Sequence, residues 1–240
     1  MALPAAAQSI KDSIHDFSAT SKGTKWTNTS VDQICVFCHT PHHAVESNGI
    51  WNRNNPQGAW TMFSSQFYTL TVAASPNRTS TRCLTCHDGS IAIDALVRQP
   101  TGFVSSTDQG STIVALGDVY YPGNFQNAQT NWGANIGNSY AGQHRNDLSD
   151  DHPVSFTYNA ALVAQTAGRG KGGADGLVTP AGNGFVDAGK KLPLFTGPNA
   201  GVKDQMECST CHEVHNKTGL KYLLNDTING SQLCFDCHTK

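Results

Sequence analysis

The chain has 240 residues, and its eight cysteines all fall in pairs at C-x-x-C spacing: Cys35/Cys38, Cys83/Cys86, Cys208/Cys211 and Cys234/Cys237. A histidine follows each pair at once: His39, His87, His212 and His238. C-x-x-C-H is the attachment signature of haem c. Two thiols at this spacing can form thioethers to the two vinyl-derived carbons on one porphyrin edge. The next residue then lies under the ring, where its imidazole reaches the iron. Zinc ribbons, redox-active pairs and structural disulfides also use C-x-x-C, but none of them needs the histidine. Four histidines after four pairs arise by chance on the order of once in 10⁵–10⁶, taking the motif as template. The expectation is four covalently attached haems c.

Six histidines remain: His15, His42, His43, His144, His152 and His215. Four irons with one proximal imidazole each need four further ligands. Met62 and Met206 are possible thioether ligands, but imidazole is in better supply. His42 and His215 complete matching C-x-x-C-H-x-x-H segments. Three residues at about 3.5 Å each cannot wrap around a porphyrin about 10 Å wide, so each would serve the iron of a different haem.

His15 and His152 share the pattern His-x-apolar-Ser, and each stands upstream of one C-x-x-C-H-x-x-H and one plain C-x-x-C-H. This is an internal duplication, with unit one running from about Lys11 to Ser90 and unit two from about Leu148 to Lys240. In each unit two proximal and two distal histidines match two irons. The expected metal ligands are therefore His39, His87, His212, His238, His15, His42, His152 and His215. His43 and His144 are surplus, and read either as surface groups or as hydrogen-bond partners of haem propionates. Arg53, Arg82 and Arg145 are candidate propionate partners, with solvated surface arginine as the alternative.

The elements that must position these groups are short. Residues 1–30 form a Ser/Thr-rich arm that will not fold alone. Residues 31–98 carry the first haem pair, 99–147 a polar Gly/Asn-rich insert, and 148–240 the second haem pair with a loop-rich stretch. Helical turns are expected at 31–38 and 231–238, the first ended by Thr40-Pro41. Trp51, Trp60, Phe63, Phe67 and Tyr68 offer apolar cover for haem faces. Val114, Leu116 and 119–121 hint at short strands. Sequons at Asn28, Asn77, Asn216, Asn225 and Asn229 exceed chance only weakly.

Composition excludes several classes. Charged residues are 14% and hydrophobic residues 38%, so the aliphatic core is lean and porphyrins are expected to fill much of the centre. The formal charge of −2 carries no basic stripe for nucleic acid. With haem and ionised propionates counted, the charge becomes roughly −6 when ferric and roughly −10 when ferrous. No apolar run reaches the ~18–20 residues of a transmembrane helix. The segment 1–8 is too short for a signal peptide, and Ala5-x-Ala7 is compatible with either a trimmed signal or a mature start. No P-loop, G-x-S-x-G or H-E-x-x-H is present.

The segments Cys35-Val36-Phe37-Cys38-His39-Thr40-Pro41-His42, Cys83-Leu84-Thr85-Cys86-His87-Asp88-Gly89, Asp151-His152-Pro153-Val154 and Met206-Glu207-Cys208-Ser209-Thr210-Cys211-His212 resemble doubled-CXXCH multihaem c-type cytochromes. Ile50-Trp51-Asn52-Arg53 is also similar to a segment of that group. Four haems in a chain of this size look most like the extracellular tetrahaem cytochrome nanowires of the OmcE type. That resemblance implies a mostly coil fold with a few short helices and minimal β, four covalent haems forming the core. It also implies head-to-tail polymerisation, with one axial histidine of a haem supplied by the adjacent subunit. His15 on the arm is the candidate for that crossing, whereas the duplication allows all four sites to close within one chain.

The expected function is multistep electron transfer through bis-His haems, which have no open position for substrate and so do not act as an enzyme. The alternatives are a soluble periplasmic tetrahaem shuttle and a reductase with one open haem. Six spare histidines and the lack of a C-x-x-C-K variant weigh against the reductase. The expected location is extracellular or at the cell surface, alternatively periplasmic. The expected partners are further copies of the chain and redox proteins or external acceptors.

Overall fold

The computed structural model describes residues 9–23, 27–28, 30–45, 49–56, 58–66, 69–88, 95–103, 146–166, 176–197 and 201–239. The expected strands at 114, 116 and 119–121, most of the insert, Phe67, Tyr68, His144 and Arg145 lie outside them. The regular elements are few and short, matching the coil-rich expectation. Helix α1 is Arg78–His87, α2 Ala160–Thr166, α3 Cys208–Cys211 and α4 Gln232–Phe235. Strands β1 (Phe156–Thr157), β2 (Phe195–Thr196) and β3 (Lys203–Met206) form one antiparallel sheet in the order β1-β3-β2. A 3₁₀ turn at Ile34–Phe37 and α4 realise the two turns read from sequence. Among the described residues no helix is long and apolar enough to cross a membrane.

The chain divides into two units, and their boundary falls inside α1. The first comprises Ile10–Ala59 and Thr81–Asp150, and so holds the motifs at Cys35 and Cys83. The second comprises Met1–Ser9, Trp60–Ser80 and Asp151–Lys240, with the motifs at Cys208 and Cys234. Residues 60–80, grouped by sequence with the first motif pair, associate with the second unit. The reason is backbone pairing: Ala73 N donates to Ser155 O at 2.9 Å and Thr157 N to Thr71 O at 3.1 Å.

The second unit has a small apolar core of Phe156, Tyr158, Leu162, Val186, Leu192, Leu194, Met206 and Cys237. Met206, considered above as an axial thioether, is 3% exposed and packs in that core. Tyr158 ties the core to the last motif, since its hydroxyl donates to Val178 O at 2.7 Å and Cys237 O at 3.3 Å. In the first unit Phe37 packs edge-on against Phe17 at 5.7 Å between centroids. Around it the interior is unusually polar, with Asp16, Asn52, Arg53, Thr85 and Asp88 each 0% exposed.

Candidate haem centres

Each attachment motif is folded by its own backbone. His39 N donates to Cys35 O at 2.8 Å, His212 N to Cys208 O at 3.1 Å and His238 N to Cys234 O at 2.8 Å. These are single helical turns, whose 3.6-residue pitch brings the first cysteine and the histidine to one side. The fourth motif, Cys83 to His87, forms the last turns of α1. Glu207 caps α3 through a reciprocal box: Glu207 N donates to Thr210 Oγ1 at 3.0 Å, and the carboxylate accepts from the Thr210 backbone.

No disulfide joins any two of the eight cysteines. Burial pushes Cys38 and Cys237 up to about 12 and Cys211 to about 11. The neighbouring thiol Cys86 adds to the rise at Cys38, and Cys211 adds to it at Cys237. The two motifs of each unit therefore lie close enough for their thiols to interact.

The leading histidines meet the plain motifs. In the first unit the His15 and His87 rings face at 6.0 Å between centroids, with planes at 62°. In the second, His152 and His238 face at 6.5 Å with planes at 83°. A metal bonded at about 2.0 Å to an imidazole on each side would set the centroids roughly 6.3 Å apart. Both separations are compatible with two imidazoles sharing one iron, and also lie in the range of a direct edge-to-face contact. Among the described residues no group of three or more His, Cys, Asp or Glu converges on one point. Burial, reinforced by the facing His152, holds His238 below its usual value, which favours the neutral imidazole that a ligand must be.

The turns carrying the leading histidines are pinned. Asp16 accepts from Asp12 N at 2.7 Å and from Ser18 Oγ at 2.6 Å. Burial alone would raise Asp16, but these bonds outweigh it and hold the carboxyl below its ordinary value. Ser155, three residues after His152, donates to Glu207 at 2.9 Å. Glu207 also accepts from Asn77 at 2.8 Å and from Ser80. Its burial wins, and its carboxyl lies above the ordinary value.

The rings of His39 and His212 are held alike. His39 Nδ1 lies 2.6 Å from Gly49 O, and His212 Nδ1 lies 3.0 Å from Tyr222 O. Each bond occupies Nδ1 and leaves Nε2 for iron. The acceptor backbone is left-handed in both copies: φ is +85° at Gly49 and +45° at Ile50, +62° at Tyr222 and +56° at Leu223. Such a conformation costs about 1–3 kcal/mol per non-glycine residue and persists only where its surroundings enforce it.

The other expected ligands lie at the surface. His42 and His43 are exposed. The His215 side chain is 55% exposed, with Nδ1 3.2 Å from Glu213 Oε1. Desolvation raises Glu213, but backbone bonds from Lys217 and His215 prevail and keep it ionised below its usual range. His15, the expected crossing ligand, faces His87 of its own chain. Arg53 is 0% exposed, and its Nη2 donates to Thr85 O at 3.3 Å, between the two cysteines of a motif. Arg82 lies over the Trp51 ring at 5.9 Å, and Trp51 packs edge-on against His39 at 5.7 Å.

Sequence reasoning missed Asn52 and Asn225, whose side chains bond to backbone carbonyls inside the C-x-x-C loops. Aligning the two C-x-x-C-H-x-x-H segments and reading on to the next shared polar residue would have found them. Two expected glycan acceptors are likewise engaged internally: Asn225 to Ser209 O at 3.1 Å, and Asn77 to Glu207.

Residues 199–240 match the family model described as the doubled CXXCH motif. No curated protein matches the chain. The motif match and the facing imidazoles support a multihaem c-type cytochrome with covalently attached haem, a class whose work is electron transfer.

Proposed function

We propose that the chain carries four bis-His haems c and moves electrons along them in multiple steps, as the subunit of a head-to-tail extracellular filament. The observation that carries the reading is the recurrence of one ligand geometry in two units: His15 facing His87, and His152 facing His238. Cys35, Cys38, Cys83, Cys86, Cys208, Cys211, Cys234 and Cys237 hold the haems, and His39, His87, His212 and His238 are proximal ligands. When bound, haem supplies a one-electron couple with no open coordination position. The protein sets distance, orientation and potential.

His42 and His215 are the remaining distal ligands, each serving an iron beyond its own motif. The exposure of both rings and the carboxylate on His215 Nδ1 suit ligands that reach outward. An open heterologous contact of this kind would propagate rather than close. The second reading, a soluble periplasmic shuttle, is favoured by one observation: His15 meets His87 within the chain.

Negative-stain microscopy of the native protein, with haem counted by its pyridine adduct, tests both. Filaments with four haems per chain are expected. Dispersed globular particles at native concentration would leave the shuttle, and fewer than four haems would remove the tetrahaem reading.

A further inference from the structure

The return segment after each C-x-x-C-H-x-x-H is built on one plan. Thr40 N donates to Ile50 O at 2.8 Å, and Glu213 N to Leu223 O at 2.6 Å. His39 bridges Trp51, and His212 bridges Leu224. Asn52 N donates to Cys38 O at 2.9 Å, and Asn225 N to Cys211 O at 2.8 Å. Asn52 Nδ2 donates to Val36 O at 2.8 Å, and Asn225 Nδ2 to Ser209 O at 3.1 Å. Between the segments Gly49–Arg53 and Tyr222–Asp226, asparagine is the one residue kept at the same place.

Each asparagine is thus bound twice to the loop that carries the attachment cysteines, once by main chain and once by side chain. Asn52 is 0% exposed, and its amide spans further, giving Nδ2–H to Arg98 O and taking Arg98 N at Oδ1, both at 2.8 Å. Asn225 Nδ2 also donates to Thr210 O at 2.9 Å. What this clamp holds is the left-handed pair just before it, 49–50 or 222–223. A strained turn relaxes unless its ends are fixed. Here the turn runs through Trp51 or Leu224 into the asparagine, and the carbonyl of its first residue, Gly49 or Tyr222, is the acceptor for the proximal Nδ1.

We propose that Asn52 and Asn225 are positioning residues for the proximal imidazoles of His39 and His212. They hold the left-handed turn that presents Gly49 O and Tyr222 O to Nδ1, and so fix the ring plane and strengthen Nε2 as a donor to iron. The proposal rests on the haem reading above. A firmly bonded Nδ1–H makes imidazole the stronger base and favours the ferric state. Loosening the clamp therefore raises the midpoint potential of that one haem.

The test is Asn225→Ala in the full-length holoprotein, with Asn52→Ala as an independent copy. Haem content by the pyridine adduct checks the haem reading first. Chains lacking covalent haem in the unmodified protein would sink that reading, whatever the variants do. With four haems present, spectroelectrochemistry should show one midpoint moved upward, by about tenfold in its reduction equilibrium or about 59 mV for one electron. The low-spin electron paramagnetic resonance signal of the same haem should move with it. A four-haem variant with all midpoints unmoved overturns the proposal. Asn225→Leu keeps the approximate size and removes the two N–H donors without adding charge, and it is measured by the same criterion if the alanine form does not accumulate. Without any substitution, the side-chain amide protons of Asn52 and Asn225 should exchange slowly in the ferrous protein, and fast exchange at both overturns the clamp.

Discussion

His152 faces His238 across 6.5 Å between ring centroids, with the ring planes at 83°. The same relation joins His15 to His87 at 6.0 Å. Each leading histidine thus pairs with the second motif of its unit rather than with the nearer C-x-x-C-H-x-x-H. His152→Ala should convert the haem at Cys234/Cys237 alone to a high-spin, five-coordinate form, and His15→Ala the haem at Cys83/Cys86 alone. Resonance Raman spin-state markers of each single variant and of the double variant check this, with one and then two of four haems altered. A high-spin haem at His212 in the His152→Ala protein would reverse the pairing.

Arg53 places a guanidinium at 0% exposure beside the loop containing Thr85. A buried cation opposes oxidation of nearby iron. Taking about 10 Å and an effective dielectric of about 20, one charge contributes about 1.7 kcal/mol, somewhat over tenfold in a one-electron equilibrium. Arg53→Met should therefore lower midpoints in the first unit. Any acid that Arg53 neutralises would add to the fall once it is gone, so the sign is firm. Potentiometric titration of the variant reads it, and unchanged or raised midpoints would contradict it.

How much of this was legible in the sequence differs by residue. The C-x-x-C-H motifs were, because thioether chemistry would fix their spacing and the doubled motif matches over residues 199–240. His15 and His152 were visible as candidates only through the duplication, and nothing in their spacing named His87 and His238 as their counterparts. Residues 60–80 could not be assigned to the second unit, because they join it by backbone bonds at Thr71 and Ala73 to strands too short to show periodicity. Asn225 was masked by its own context, since Asn-Asp-Thr reads as a glycan acceptor. Asn52 was noticed only as part of a resembling segment. Their carbonyl partners lie inside the motifs, where only backbone geometry can reveal them.

Glu207 is 1% exposed, and burial holds its carboxyl above the ordinary value despite donors from Ser80, Asn77 and Ser155. Between the ordinary glutamate value and the raised one, the folded chain binds more protons than the unfolded chain. Its contribution is therefore fully present at low pH and is lost as pH rises through that window. Glu207→Gln removes the ionisation and should flatten this part of the pH dependence. Thermal unfolding from about pH 4 to 8 checks it, using the difference between variant and parent at each pH. A difference that stays constant across the range would show that Glu207 does not titrate there.

Gly49 and Tyr222 occupy the same left-handed position but tolerate change differently. A Cβ at Gly49, at φ +85°, would meet the Arg82 guanidinium at 3.1 Å. Gly49→Ala should cost about 1–2 kcal/mol from backbone strain alone. Tyr222 already carries that strain, and its ring is exposed, with Lys221 Nζ over it at 4.5 Å. Tyr222→Ala should lose only the cation–π contact, about 0.5–1 kcal/mol at an exposed site. Denaturant unfolding of the two variants should rank Gly49→Ala as the more destabilised, and the reverse order would disprove the shared strain.

Glu213 holds the exposed ring of His215 through Nδ1 at 3.2 Å and accepts Lys217 N at 2.7 Å. A carboxylate on Nδ1–H fixes the tautomer and strengthens Nε2 as a ligand. The first copy has Thr40 at this position, whose hydroxyl donates to His42 O instead. The two surface histidines are therefore not equivalent donors, and the haem served by His215 should have the lower midpoint of those two. Glu213→Gln keeps the shape and removes the charge, so that midpoint should rise while the other stays in place. His215→Ala should leave the same haem high-spin, which identifies it without prior assignment. If the Glu213→Gln shift falls on a different haem from the one that His215→Ala opens, the carboxylate does not act through His215.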